Sequence, residues 1–216
     1  TDVVIGLIDS GFNSSNPDIS GQKWTNPREF LNGFDDDNNG YVDDIHGISP
    51  GDTLKNNPFQ YPGHHGTKNA SLIAANINNY GVVGTAPNAK VVYCKASHYT
   101  TDNISVSLST LCVEYFTKLK RAGVNIVAVS HSASWAQNLS YEKTADKGLI
   151  SELLSHRDAV EQLGAENVLY IAAAGNDPIN LDQTTVFPAA YDELSNVIIV
   201  SGSTELKSAL YSWGRR

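Results

Sequence analysis

The sequence begins with an apolar run that ends in a carboxylate. Residues 3–8 are mostly branched and uncharged, with no alternation of polar and apolar positions. Such a run indicates a strand buried on both faces, as in a parallel sheet. Asp9 follows at once, and a buried carboxylate is costly unless it has a partner. Since ligands bind at the carboxyl edge of such sheets, the sequence predicts a functional carboxylate there.

Strand patterns and helical patterns alternate along the rest of the chain. The predicted strands cover residues 3–8, 90–95, 124–130, 168–174 and 197–201, and the predicted helices cover residues 65–76, 104–122 and 147–163. This alternation predicts βαβ units, a mostly parallel sheet and an α/β fold in one domain over residues 1–216. Residues 20–62 form a long polar insertion.

Composition and charge limit the classes of function. The 216 residues are 41% hydrophobic and 18% charged, which is typical of a globular domain. The net charge, 15 − 23 = −8, argues against a nucleic-acid partner or an anionic membrane. No stretch is long enough for a transmembrane helix. The sequence has neither a signal peptide nor a methionine, so we expect a processed product or a fragment.

Two cysteines leave two interpretations open. Cys94 falls in a predicted strand and Cys112 in a helical pattern. Two buried free thiols are favoured, and a disulfide requires that the helix pack on that strand.

Acidic residues crowd one short loop within the insertion. Oxygen-bearing residues alternate there around Gly40, as in the first half of an EF-hand calcium loop. The candidate ligands are Asp35, Asp37, Asn39, Tyr41 (through its carbonyl), Asp43 and Asp44. His46 stands where an EF-hand has its closing glutamate, so Asp43 or Asp44 would close the site. The sequence therefore predicts a structural calcium ion, and the alternative is a solvated acidic loop.

Two further segments carry residues suited to acyl transfer. His65 lies at the start of a helical stretch, and Asn176 follows the predicted strand 168–174. A histidine can act as the general base for a serine nucleophile when a carboxylate orients its ring. A side-chain amide can stabilise the developing oxyanion. Asn176 also belongs to a strong turn signal, and both interpretations are compatible. His64 is interpreted as a solvated neighbour.

These segments, in this order, resemble the subtilisin-like (subtilase) serine proteases. The matching blocks are residues 4–11, 16–19, 65–67, 78–87, 122–130, 173–176, 187–191 and 208–214. The resemblance implies a three-layer sandwich with a mostly parallel central sheet between helices. It also implies catalytic roles for Asp9, His65 and Asn176. No Gly-Thr-Ser-Met-Ala-like segment is present, so we expect a C-terminally incomplete domain that is inactive alone.

The resemblance also places a peptide substrate and a second cation. An extended peptide would add as a strand near residues 97–99 and beside Ser130, His131 and Ser132, with Ala174 and Gly175 forming a pocket wall. Asp18 would serve a second calcium site. The family's second histidine is Lys68 here. Small apolar residues of the family become Asn69 and Ser71, which predicts extra polar groups on this helix.

The leading hypothesis is therefore a secreted serine endopeptidase of this family, monomeric when complete, that acts on peptides or proteins. The alternative is a calcium-binding pseudoprotease or interaction module. A nucleotide-handling domain is disfavoured because the sequence lacks both G-x-G-x-x-G and G-x-x-x-x-G-K-[ST].

Overall fold

The computed structural model describes residues 2–52, 56–60, 62–98, 103–136, 147–176 and 185–202. Tyr99 and the block at residues 208–214 lie outside them. Within these ranges there are eight strands and four helices. The strands are β1 (Val4–Asp9), β2 (Gly47–Ile48), β3 (Lys90–Lys95), β4 (Ile126–His131), β5 (Trp135–Ala136), β6 (Leu169–Ala173), β7 (Val186–Phe187) and β8 (Val197–Val200). The helices are α1 (Pro17–Ser20), α2 (His64–Ala74), α3 (Val106–Arg121) and α4 (Lys147–Ala165).

Six of these strands form one parallel sheet in the order β2-β3-β1-β4-β6-β8, while β5 and β7 form a small antiparallel pair. β1 lies near the middle, between β3 and β4. Asp9 is in register with Lys95. The carboxyl ends of β1, β3, β4 and β6 therefore meet at one edge of the sheet, where the sequence places its candidate site.

Helices cover both faces of the central strands. On one face Leu7 packs in a cluster with Ala70 and Ala74 of α2. On the other face Ile8 belongs to the larger cluster formed with α3 and α4, which includes Phe116. Successive residues of a strand point to opposite faces, so β1 is buried on both sides. The predicted three-layer α/β sandwich with a parallel central sheet is confirmed.

The α3 sequence shows why that helix forms and which side it buries. Ser105 caps its start, and its hydroxyl accepts from the backbone N–H of Leu108. Three cations in the last turn, Lys118, Lys120 and Arg121, oppose the partial negative charge of the helix end. The apolar side of the helix, which includes Leu108, Cys112 and Phe116, faces the sheet, and Leu111 is exposed at its margin.

The remainder of the sheet is covered differently. In β6, Tyr170 points into the α3/α4 core, so Leu169 points to the opposite face, where it is 43% exposed. Ile198 and Val200 of the edge strand β8 are 45% and 53% exposed. No helix among the described residues covers this face of β6 and β8.

The two cysteines form a disulfide. The Cys94–Cys112 bond has a Cα–Cα distance of 5.7 Å and joins β3 to α3. The favoured interpretation as two free thiols is therefore wrong, because α3 packs directly on β3. The predicted strands and helices agree with the observed ones to within a few residues. The two-residue strands β2, β5 and β7 were not predicted, since two residues carry no periodicity. No described helix has the length and apolar character needed to cross a membrane.

Candidate active site

Asp9 ends β1 with its carboxylate fully buried. Its Oδ1 accepts the backbone N–H of Ser10 at 2.7 Å. A buried charge of this kind requires several hydrogen-bond donors, and the neighbouring helix supplies more of them.

His65 stands in the first turn of α2 and contacts this carboxylate. Its Nδ1 lies 2.8 Å from Asp9 Oδ1 and 3.0 Å from Oδ2. Because a carboxylate only accepts, Nδ1 donates, and the neutral ring carries its proton on Nδ1. The side chain of His65 is 58% exposed, so the other edge of the ring faces outward. The carboxylate and the histidine that the sequence analysis singled out are therefore in hydrogen-bonding contact.

Gly66 allows α2 to approach β1 this closely. A Cβ at this position would lie 2.9 Å from the Asp9 Cβ and 2.8 Å from the Phe12 ring. Any side chain would push the helix away from the end of the strand. Glycine at residue 66 therefore sets the distance between Asp9 and His65.

A cavity of about 690 Å³ opens beside His65. Its lining brings together four residues that the sequence analysis singled out: His65, Ser132, Gly175 and Asn176. Trp135 also lines the cavity. A candidate base, an amide donor and a strand end thus share one surface depression. Ala174 lies beside this wall, but its side chain is buried and its N–H donates to the Val200 carbonyl at 2.9 Å.

The side chains of the remaining predicted substrate residues differ in burial and orientation. Ser130 is half-buried in register with Leu7. Ser97 is fully buried, and its hydroxyl donates to the Ser10 carbonyl at 2.7 Å. His131 has no exposed surface. His131 was expected beside an added peptide strand; its side chain shares the inward face of β4 with Val129 and points away from the cavity that His65 lines.

His131 instead belongs to a buried file of hydrogen bonds, which we call the polar file. Its members run from α3 through β4, β6 and α4: Ser109, His131, Tyr170, His156 and Tyr191, ending on the Leu153 carbonyl. Tyr191 Oη donates to that carbonyl at 2.9 Å, so it accepts from His156 Nδ1. Each preceding hydroxyl or ring N–H then donates to the next member, and both histidines are neutral.

Burial sets the charge state of these two histidines. It lowers the pKa of His156 to about 3 and that of His131 well below its ordinary value, and the second effect is reinforced by repulsion from His156. Both rings are therefore uncharged at neutral pH, as the direction of the hydrogen bonds requires.

Asn69, one of the two polar replacements on α2, also contacts the Asp9 carboxylate. Asn69 Nδ2 lies 2.9 Å from Asp9 Oδ2. Ser71, the other polar replacement, donates to the Thr67 carbonyl within the helix at 3.0 Å. The predicted extra polar groups are thus both hydrogen-bonded. The i, i+4 spacing of His65 and Asn69 was the sequence signal for this contact.

In the acidic loop, three carboxylates converge. Glu29, Asp37 and Asp44 place oxygen atoms within 4.8 Å of one another. Glu29 Oε2 is buried and has no hydrogen-bond partner. Burial raises the pKa of Asp44 to about 7, although hydrogen bonds from Tyr115 and Asn39 act in the opposite direction. We call these three residues the acidic cluster.

The other predicted ligands lie outside the acidic cluster. The Asp35 carboxylate accepts the N–H groups of Asn39 and Gly40, and Asp43 Oδ1 accepts those of Asn32 and Gly33. Asn39 donates to Asp44 at 3.0 Å. The ring of Tyr41 packs edge-on against Tyr115. Glu29 was missed because it precedes the alternating motif by six residues.

Asp18 lies against a second loop. Its side chain is buried, and Oδ1 has no hydrogen-bond partner. Gly81 takes a positive φ of 58° beside this carboxylate, where a Cβ would collide with both oxygens. The loop that contains Gly81 therefore lies directly against the Asp18 carboxylate.

The sequence model of the subtilase family (Peptidase_S8) matches residues 1–216. The chain belongs to the subtilase family. Among curated subtilases, subtilisin-like protease 1 of Plasmodium falciparum (isolate 3D7) is 42% identical over 99 residues, which are 43% of this chain and 14% of that protein. The major intracellular serine protease of Bacillus subtilis (strain 168) is 27% identical over 208 residues, 94% of this chain and 53% of that protein.

Solved subtilase structures share the fold. The nisin leader peptidase NisP from Lactococcus lactis superposes with a TM-score of 0.68 at 19% identity, covering 100% of this chain and 59% of that one. The Staphylococcus aureus epidermin leader peptide processing protease EpiP gives a TM-score of 0.67 at 19% identity, over 99% of this chain and 49% of that one. The chain thus spans about half the length of these structures, and less of the Plasmodium relatives.

Proposed function

We propose that this chain supplies the base, its orienting carboxylate and an oxyanion donor for peptide-bond hydrolysis by an Asp-His-Ser triad. The observation that carries the proposal is the 2.8 Å contact between His65 Nδ1 and the buried Asp9. With its proton on Nδ1, the ring presents Nε2 as the base that takes the proton of a serine hydroxyl. Asp9 then stabilises the imidazolium that forms.

The cavity supports a peptide as the substrate class. Ser132, Gly175 and Asn176 line it together with His65. An extended peptide would pair with the backbone at the end of β4, as in strand addition. Asn176 is exposed at the end of β6, so its amide would be available to a developing oxyanion.

The proposal is tested with two chains. Residues 1–216 alone should not be labelled by a serine-directed phosphonate, because their sequence holds no Gly-Thr-Ser segment. An extended chain that carries such a segment should be labelled and should hydrolyse peptides. In that chain Asp9→Asn should lower kcat by about 10⁴-fold, while the matched control Asp36→Asn on the exposed loop should leave it unchanged. Undiminished turnover by the Asp9 variant would overturn the assignment.

Structural calcium is the second part of the proposal. The acidic cluster fits a hard cation, since calcium binds six to eight oxygen ligands and one buried oxygen of Glu29 lacks any partner. Glu29, Asp37 and Asp44 would hold the ion, and it would offset their mutual repulsion. Asp35 and Asp43 would instead shape the loop around it. Asp18, with its own unpartnered oxygen, would serve a second cation.

Secretion is the third part. The Cys94–Cys112 disulfide supports it, because disulfides persist in oxidising compartments and are rare in the cytosol.

A further inference from the structure

The hydrogen bond from Asn69 to Asp9 has a chemical consequence for His65. Asn69 stands four residues after His65 on α2, so both side chains lie on the helix face that meets the end of β1. Asn69 Nδ2 is 2.9 Å from Asp9 Oδ2 and 3.4 Å from His65 Nδ1. Asn69 therefore contacts both members of the pair.

The orientation of the Asn69 amide is fixed by chemistry. A carboxylate only accepts, so the amide must turn its NH₂ group toward Asp9. The reversed amide would place its oxygen against a carboxylate oxygen, leaving two acceptors face to face. Asn69 Nδ2 and His65 Nδ1 lie 3.4 Å apart, but both are donors and do not bond each other. Each nitrogen instead directs a hydrogen toward the Asp9 carboxylate.

The two carboxylate oxygens then have different partners. Oδ1 accepts from Ser10 N–H and His65 Nδ1, whereas Oδ2 accepts from Asn69 and, more distantly, from His65. The additional donor, Asn69, stabilises the negative charge of the carboxylate and fixes the orientation of its plane. A carboxylate stabilised in this way attracts an imidazolium less strongly.

We propose that Asn69 is a positioning residue that weakens the hold of Asp9 on protonated His65, so that His65 gives up its proton at lower pH. The inference rests on the proposed function in that His65 is the base. Its effect would be to keep the base available under more acidic conditions than a small apolar residue at this position allows.

The test is a histidine titration by nuclear magnetic resonance on residues 1–216 themselves, which needs no nucleophile. In Asn69→Leu, which keeps the side-chain size and removes the donor, the titration midpoint of His65 should rise by about one pH unit. That shift is about a tenfold change in the protonation equilibrium. Exposed His64 is the internal reference. Ser71→Ala, which removes a hydroxyl bonded only to its own helix, is the control and should not move His65.

An unchanged His65 midpoint in Asn69→Leu would overturn the inference. Should that variant not fold, Asn69→Ala removes the same donor with the best helix-forming residue, and the same two outcomes apply. The result is separable from the proposed function. A shifted midpoint together with an extended chain that does not hydrolyse peptides would overturn the catalytic proposal and leave the inference standing.

Discussion

The two halves of the parallel sheet differ in how their faces are covered. In the β3-β1 half, α2 packs on one face and α3 on the other, and Leu7 is fully buried. In the β6-β8 half, α4 packs on one face, while Leu169, Ile198 and Val200 of the opposite face are about half exposed. The covered half carries Asp9 and His65. The contact between Asp9 and His65 therefore forms where the sheet is covered on both faces.

The difference also explains why the pair is well formed in this chain. The residues shown to position His65, namely Asp9, Gly66 and Asn69, lie on β1 and α2. β6, which leads to the proposed oxyanion donor Asn176, belongs to the less enclosed half, and β4, beside which the peptide is proposed to add, adjoins it. We expect the base to stay ordered under conditions in which the walls of the cavity loosen.

The largest expected effect comes from one substitution made in both halves. Leu7→Ala should lower the free energy of unfolding by about 3 kcal/mol, because it leaves a cavity between β1 and α2. Leu169→Ala should cost about 1 kcal/mol, since its side chain is already 43% exposed. Urea unfolding followed by circular dichroism measures both. Equal losses of unfolding free energy would mean that the exposed face is covered in solution. If the loss for Leu169→Ala changed with protein concentration, self-association would be identified as the cover.

Calcium should stabilise the covered half, next to which the acidic cluster lies. At a concentration of 100 times its Kd, calcium should add about 2.7 kcal/mol to the free energy of unfolding by mass action. The double variant Glu29→Gln/Asp37→Asn should lose this response. Asp35→Asn, which alters a loop hydrogen bond outside the cluster, should keep it. Measuring the thermal midpoint of each variant at increasing calcium concentrations distinguishes the two variants. A response retained by the double variant would place the ion elsewhere.

Acid should weaken the less enclosed half through the polar file. The pKa of His156 is lowered to about 3 in the folded chain, against about 6.5 when unfolded. The stabilisation is therefore present above pH 6.5 and is lost as the pH falls, by about 1.4 kcal/mol per pH unit. At pH 5 the loss from His156 is about 2 kcal/mol. In His156→Gln, the number of protons taken up on unfolding should fall by one, so the dependence of the unfolding free energy on pH should be weaker. His64→Gln, at an exposed site, should leave that dependence unchanged. Identical slopes for all three chains would show that His156 is charged in the folded state.

Much of this fold is readable from the sequence, because the apolar runs of β1, β3 and β6 and the stripe of α3 are long enough to show their period. The Asp9–His65 contact was predictable for the same reason, since both residues adjoin well-marked elements. The inward orientation of the His131 side chain could also have been predicted. Alternation along β4 places it with Val129 on the inward face, and Ser130 and Ser132 on the other.

Other features depend on distances that no local pattern encodes. The Cys94–Cys112 bond requires the separation of β3 and α3, which tertiary packing alone sets. Glu29 reaches Asp37 and Asp44 because the insertion folds back on itself, so motif spacing could not reveal it. The i, i+4 spacing places Asn69 beside His65, but the contact of Asn69 with Asp9 also needed the approach of α2 to β1 that Gly66 permits.

The polar file has a consequence for how this sequence can change over generations. All its donors point the same way, from Ser109 to the Leu153 carbonyl, through five segments of the chain: α3, β4, β6, α4 and the segment between β7 and β8. Removing one member strands a buried polar atom on each side of the gap, at a cost of about 1–3 kcal/mol for each. Stepwise replacement by apolar residues must therefore pass through intermediates less stable than either end. The file should be inherited or lost as a unit, and its five residues should vary together among descendants of this chain.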